Sequence, residues 1–149
     1  MEFTLIIPVF KREQHLFNLL RGVQKSSAKP AEIVIVNMGP HVDLDDFTDM
    51  QMQVVSLPLE NTGELPLAKA RNLGAKKATY ENLFFLDVDC IPAVDYFETV
   101  YKQLDVYKGL IMGTPKYLLA PITPDFTEND LRKNATQHPY RPVVEGCEV

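Results

Sequence analysis

Phe3-Thr4-Leu5-Ile6-Ile7-Pro8-Val9 is the stretch on which the fold turns. It is a continuous, β-rich apolar run with no polar alternation, so the strand it predicts is buried on both faces. Proline cannot donate to a central ladder, and Pro8 is therefore expected at the end of that strand. Just downstream, Leu16, Leu19, Leu20 and Val23 recur at three and four residues, while Arg12, Glu13, Gln14 and Arg21 fall elsewhere around the same turn of chain. That is the pattern of an amphipathic helix.

The alternation continues outward. Pro30 closes the first unit, and Glu32 to Val36 reads as a second buried strand. An acidic stretch (Asp43, Asp45, Asp46, Asp49) suggests a loose helix before a short strand at Val54 to Leu57. Pro66 to Thr79 predicts a helix, with proline tolerated in its first turn and Leu67, Ala70, Leu73, Ala75 and Ala78 making a narrow face. Leu83 to Leu86 follows as a strand, Asp95 to Tyr107 as a helix carrying Phe97, Val100, Tyr101 and Leu104, and Leu110 to Met112 as a further strand. Strands alternating with helices predict an α/β fold, a three-layer α/β/α arrangement around a mainly parallel central sheet.

After Thr114 the chain changes character. Pro115, Pro121, Pro124, Pro139 and Pro142 punctuate a segment with little periodicity apart from a helix near Phe126 to Lys133. The expectation is one domain over 1–149, with a core over 1–114 and an irregular segment over 115–149 that reads as incomplete. Completion by a second copy or another chain is one expectation, with Tyr117, Leu118, Leu119, Ile122 and Phe126 as the apolar contacts.

Composition narrows the function. The 149 residues carry 15 Lys+Arg against 20 Asp+Glu, a net charge of -5 that offers nucleic acid no electrostatic footprint. Two cysteines, Cys90 and Cys147, cannot build the disulfide framework of a small secreted domain. No run approaches the roughly 20 apolar residues of a membrane span, and Glu2 stands where a signal peptide would carry basic residues. His15, His41 and His138 lack the spacing of a zinc site. The chain reads as cytoplasmic, without nucleic-acid partners or a membrane span.

In open α/β sheets ligands bind outside the carboxyl ends of the strands. The exits here are Pro8-Val9-Phe10-Lys11-Arg12, Asn37-Met38-Gly39 and Asp87-Val88-Asp89-Cys90. The last is the most informative, because two carboxylates at the end of an all-apolar strand are costly unless they bind something. In extended chain, positions i and i+2 face one side, and paired carboxylates with substrate phosphates suit Mg²⁺ or Mn²⁺. A plainer arrangement has Asp87 closing a turn and Asp89 capping the next helix. Arg71, on the 66–79 helix, could pair with Asp87 or a nucleotide through its planar fork of donors, or stand on a solvated face.

Three segments together resemble the family 2 glycosyltransferases with their nucleotide-sugar-binding GT-A fold: Ile6 to Arg12, Ala70-Arg71-Asn72-Leu73-Gly74, and Phe85-Leu86-Asp87-Val88-Asp89. The resemblance spans residues 3–114. It implies binding of a nucleotide-diphosphate sugar and transfer of its glycosyl group, with inversion, to an acceptor hydroxyl whose identity the sequence leaves open. It implies Mn²⁺ or Mg²⁺ at Asp89, with Asp87 on the ribose or metal shell and Val88 between them. Pro8 and the backbone at Val9 and Phe10 would form the wall against the base, and Arg71 would orient Asp87 or the base.

Two departures stand out. The family's acidic residue after the second strand is here Asn37, which accepts without charge and also donates, so the base need not be uridine. An inverting transfer also needs a general base, and none of Asp95, Glu98, Asp105, Asp125, Glu128, Asp130, Glu145 or Glu148 sits in the family's acidic context; Glu128-Asn129-Asp130 comes closest. The chain is therefore expected to be the donor-binding half, with a non-catalytic nucleotide-sugar-binding or scaffold module as the rival. A haloacid-dehalogenase-type phosphohydrolase would need its Asp-x-Asp to open the fold. A receiver module would need acids where Lys11 and Arg12 stand.

Overall fold

The computed structural model describes residues 2–59, 64–104, 106–107 and 109–137. The expectations for Asp105, His138, Pro139, Pro142, Glu145, Cys147 and Glu148 lie outside the described residues. β1 (Thr4–Val9), β2 (Glu32–Asn37), β3 (Met52–Ser56) and β4 (Leu83–Phe85) form one all-parallel sheet in the order β3-β2-β1-β4. Every residue of β1 and β2 is buried, as their unbroken apolar runs require.

Pro8 lies within β1, opposite Val36, rather than at the strand's end. The Thr4 N–H donates to the Asn82 carbonyl and the Leu86 N–H to the Ile6 carbonyl. Thr4, Ile6 and, by alternation, Pro8 therefore turn their backbone groups toward β4. The β4 ladder stops at the Ile6–Phe85 pair, so the N–H that proline lacks falls where no strand would receive it. A central strand tolerates proline there.

Helices cover both faces. α1 (Glu13–Lys25) and α3 (Tyr96–Leu104) pack on the face of Phe3, Leu5, Ile7 and Val9, where Leu16, Leu19, Leu20, Val23 and Phe97 are fully buried. α2 (Leu67–Lys77) covers the other face through Ala70, against Ile6, Val34 and Val36. Each such large aliphatic or aromatic side chain contributes about 1.5–3 kcal/mol by leaving water. The narrow face of α2 centres on Ala70 and Gly74, while Leu67 is exposed. A Cβ on Gly74 would stand 2.4 Å from the Ile6 Cγ2, so glycine sets how closely α2 approaches β1. The acidic stretch after β2 holds one 3-10 turn, Asp45–Phe47, whose Phe47 enters the core.

Glu32 ties the amino end of the sheet together. Its carboxylate accepts from the Thr4 hydroxyl at 2.8 Å, the Thr79 N–H at 2.8 Å and the Thr79 hydroxyl at 3.0 Å. Burial pushes this carboxyl upward, but the three hydrogen bonds outweigh it and hold the group below its ordinary value.

The segment after Thr114 differs from the expectation. Lys116–Leu118 (β5) and Ala135–Gln137 (β6) pair as a small antiparallel ribbon, where only a helix was expected. Strands of three residues with mixed polarity have no period to read. The helix is present as α4 (Glu128–Asn134), its start fixed by a Thr127–Asp130 capping box. Conversely, Leu110 to Met112 is not a strand: Leu110 is 95% and Met112 70% exposed. Three apolar residues make a strand only where a partner ladder receives them.

Candidate functional site

Parallel pairing brings the exits of β1, β2 and β4 to one edge. Val9 is level with Asn37, and Asn37 with Ser56. β4 reaches only the level of Ile6, so the residues after Phe85 run alongside the end of β1. The Asp-x-Asp segment thus stands beside Pro8, Val9 and Phe10.

The pair of aspartates is held by a turn rather than by extended strand. The Cys90 N–H donates to the Asp87 carbonyl at 2.9 Å, closing a turn over 87–90. Val88 is directed into the core beside α1, 8% exposed, whereas the side chains of Asp87 and Asp89 are 58% and 52% exposed. Of the plainer arrangement, the turn at Asp87 is present and the helix cap at Asp89 is not, since the next helix begins only at Tyr96. Val88 therefore anchors the turn with its side chain in the core.

Each carboxylate has its own arginine. The Arg71 Nη2 lies 2.5 Å from the Asp87 Oδ1, realising one of the two partners expected for Arg71. Its neighbour Ala70 is fully buried against the sheet, so the helix packing aims Arg71 at the β4 exit. The Arg12 Nη1 lies 3.1 Å from the Asp89 Oδ2. Arg12 closes the first strand exit quoted above, where the sequence assigns it no role of its own. The signal was a basic residue immediately beyond one strand exit, and it becomes legible only when β4 is known to neighbour β1.

The other expected residues divide. Pro8 and Val9 are buried, so they can meet a ligand only through backbone, while Phe10 is half-buried with the Lys11 Nζ 5.0 Å from its ring centroid. Lys11 has a φ of 51°, in the left-handed region. Asn37 is 7% exposed and engaged with its own loop, donating from Nδ2 to the Pro40 carbonyl at 2.7 Å and accepting from the Gly39 N–H at 2.9 Å. A Cβ on Gly39 would come within 3.3 Å of the Lys11 N and the Phe10 ring, so glycine lets the first two exit loops touch. Behind the Asp-x-Asp turn, burial raises the Tyr96 phenol above its ordinary range, with nearby Cys90 adding to the effect.

Two exposed carboxylates, each with only one oxygen bound to arginine in the contacts above, are a hard-oxygen donor set that fits Mg²⁺ or Mn²⁺. Among the described residues no three His, Cys, Asp or Glu side chains cluster as a metal site. A cation there would draw its remaining ligands from phosphate oxygens and water.

Glu128 and Asp130 stand elsewhere. Glu128 accepts from the Val94 N–H and pairs with Arg132, and Asp130 is held in the cap of α4. Lys25, at the end of α1, donates to the Phe126 carbonyl, and the Ser27 N–H donates to the Val94 carbonyl. α4 is thus docked at the amino end of the sheet, about 20 Å away from the exit loops along a helix of 13 residues. An open cavity of about 570 Å³ also lies at that end, lined by Glu2, Thr79, Tyr80, Glu81, Asn82 and Tyr101. Among the described residues no helix is long and apolar enough to cross a membrane.

Residues 4–114 match the family described as "Glycosyltransferase like family 2". "Glycosyltransferase GlyA" of Streptococcus pneumoniae serotype 4 (strain ATCC BAA-334 / TIGR4) is 31% identical over 113 residues, covering 72% of this chain and 16% of that protein. The crystal structure of S. aureus TarS 1-349 superposes with a TM-score of 0.59 at 19% identity, over 80% of this chain and 42% of that one. Its complex with UDP-GlcNAc gives 0.56 at 20% identity, over 85% and 40%. The chain spans about one sixth of the curated relative and under half of these structures. The shared fold is the GT-A type.

Proposed function

The chain belongs to the family 2-like glycosyltransferases, and from that premise we propose that its strand-exit loops bind a nucleotide-diphosphate sugar for transfer to an acceptor hydroxyl. The observation that carries the reading is the edge where Asp87 and Asp89, on one turn, meet Arg71 and Arg12 from two different helical units. Opposite charges brought together at a parallel-sheet exit suit a ligand that is itself a metal-bound polyanion.

Asp89 and Asp87 would hold Mn²⁺ or Mg²⁺. When bound, the cation supplies Lewis acidity that stabilises charge on the departing diphosphate. The chain's own residues do the rest. Val88, buried, fixes the turn so that both carboxylates stay at the edge. Arg71 holds Asp87 in place. Phe10 and the backbone after Val9 offer the surface for the base, with Lys11 over the ring. Asn37, engaged in its own loop, leaves recognition of the base to that surface and to backbone groups. The TarS complex with UDP-GlcNAc supports a uridine nucleotide as the first donor to test.

A second reading, a binding module without turnover of its own, is favoured by one observation: Glu128 and Asp130, the acids closest to a base motif, are engaged in helix contacts at the opposite end of the sheet. Both readings place the donor at the same edge. Thermal shift of the chain with UDP, GDP, dTDP and CDP, each with and without Mn²⁺, tests that edge. A nucleotide at a hundred times its dissociation constant adds about 2.7 kcal/mol. A shift requiring metal and one nucleotide, and absent in Asp89→Ala, is the expected result. No shift with any nucleotide would overturn the proposal. Release of free sugar or its transfer to an added acceptor separates turnover from binding alone.

A further inference from the structure

Arg12 is the residue at the edge with no assigned part. Its guanidinium stands on Asp89, the aspartate on which a cation would sit, and it reaches there from the first residue before α1. Resting on the donor-site reading above, we propose that Arg12 occupies the cation's place on Asp89 in the empty protein and turns to the donor's diphosphate once a divalent cation has displaced it.

Three observations support the exchange. Both side chains of the pair are about half exposed, 53% and 52%, and ion pairs so open to water are weak and readily exchanged. Arg12 makes no side-chain cap to its own helix, so its guanidinium is not tied to the helix it precedes. The Asp87 pair differs, because Arg71 is less exposed, at 36%, and projects from a helix whose neighbouring Ala70 and Gly74 are buried on the sheet. Arg71 is thus placed to hold its aspartate, and Arg12 to release its own. A guanidinium freed within hydrogen-bonding distance of Asp89 is beside any diphosphate sharing that cation, and its planar fork fits two phosphate oxygens at once.

The consequence has opposite signs for two ligands. Removing Arg12 removes a competitor for the bare cation and a donor for the diphosphate. In the full chain, Arg12→Gln is expected to bind Mn²⁺ alone about two- to fivefold more tightly, measured by the loss of the free Mn²⁺ electron-paramagnetic-resonance signal. The same variant is expected to bind UDP in the presence of Mn²⁺ about tenfold more weakly by calorimetry. Arg12→Lys, which keeps the charge without the fork, should restore weak Mn²⁺ binding and only part of the UDP affinity. A merely structural defect would weaken both ligands together, and that outcome overturns the inference. So do unchanged affinities in Arg12→Gln while the parent chain binds UDP with Mn²⁺. If the parent chain binds neither UDP nor any of GDP, dTDP and CDP with either cation, the donor-site reading falls and this inference with it.

Discussion

The two ends of the sheet use carboxylates in opposite ways. At the amino end Glu32 is buried and accepts three hydrogen bonds from neutral donors, joining β1, β2 and the chain leaving α2. At the carboxyl end Asp87 and Asp89 are exposed and each pairs with an arginine. A buried carboxylate satisfied on several sides is part of the folded state and has nothing left to give a ligand. An exposed one paired with a half-exposed arginine contributes little to stability and keeps oxygens available. On the proposed donor-site reading, the difference separates stability from binding within one sheet.

The severest way to break that separation is at Gly74, which serves both ends by seating α2 on β1. Gly74→Val puts branched carbon where even a Cβ lies 2.4 Å from Ile6. It is expected to cost about 3 kcal/mol or more and to abolish nucleotide binding, because Arg71 moves with the helix. Chemical denaturation and thermal shift check both. Next is Glu32→Gln, which aims an amide N–H at donors. The expected loss is about 2 kcal/mol, a fall in melting temperature of roughly 6–8 °C for a chain of this size, with nucleotide affinity in the folded protein unchanged.

The pH dependence sharpens the same contrast. Glu32 is held below its ordinary value of 4.5, so the unfolded chain takes up its proton first as pH falls. Its contribution is complete above about pH 4.5 and is lost as pH drops through the lowered folded value. Glu32→Gln should flatten part of that acid loss. Hydrogen bonds and nearby Lys102 also hold Glu98 low, and Thr127 does the same for Asp130, so some acid sensitivity remains in the variant. Smallest in stability is Asp89→Ala, expected to change unfolding free energy by less than about 0.5 kcal/mol while removing metal-dependent nucleotide binding. A large destabilisation in that variant would erase the distinction between the two ends.

Much of this could be read from the chain before folding. The apolar runs at 3–9 and 32–36, the three- and four-residue spacing through Leu16 to Val23, and the small face around Ala70 each encode an element whose period survives in a single sequence. Phe85-Leu86-Asp87-Val88-Asp89 likewise pointed to the candidate site, because acids at the end of an apolar strand are conspicuous on their own. The β5–β6 ribbon was not legible, nor was the failure of Leu110 to Met112 to become a strand, since a strand's existence depends on a partner elsewhere in the chain.

The sequence by itself determined the alternation of elements, the burial of β1 and β2, and the identity of the acidic exit. Only the tertiary structure decided that Pro8 is harmless inside β1, that Asp87 and Asp89 are presented by a turn, that Asn37 is engaged in its own loop, and that Arg12 stands on Asp89. Periodicity is local and is written residue by residue. Pairing is not: residues 77 positions apart, Arg12 and Asp89, meet because β4 crosses over to lie beside β1, and no spacing along the chain records which strands become neighbours.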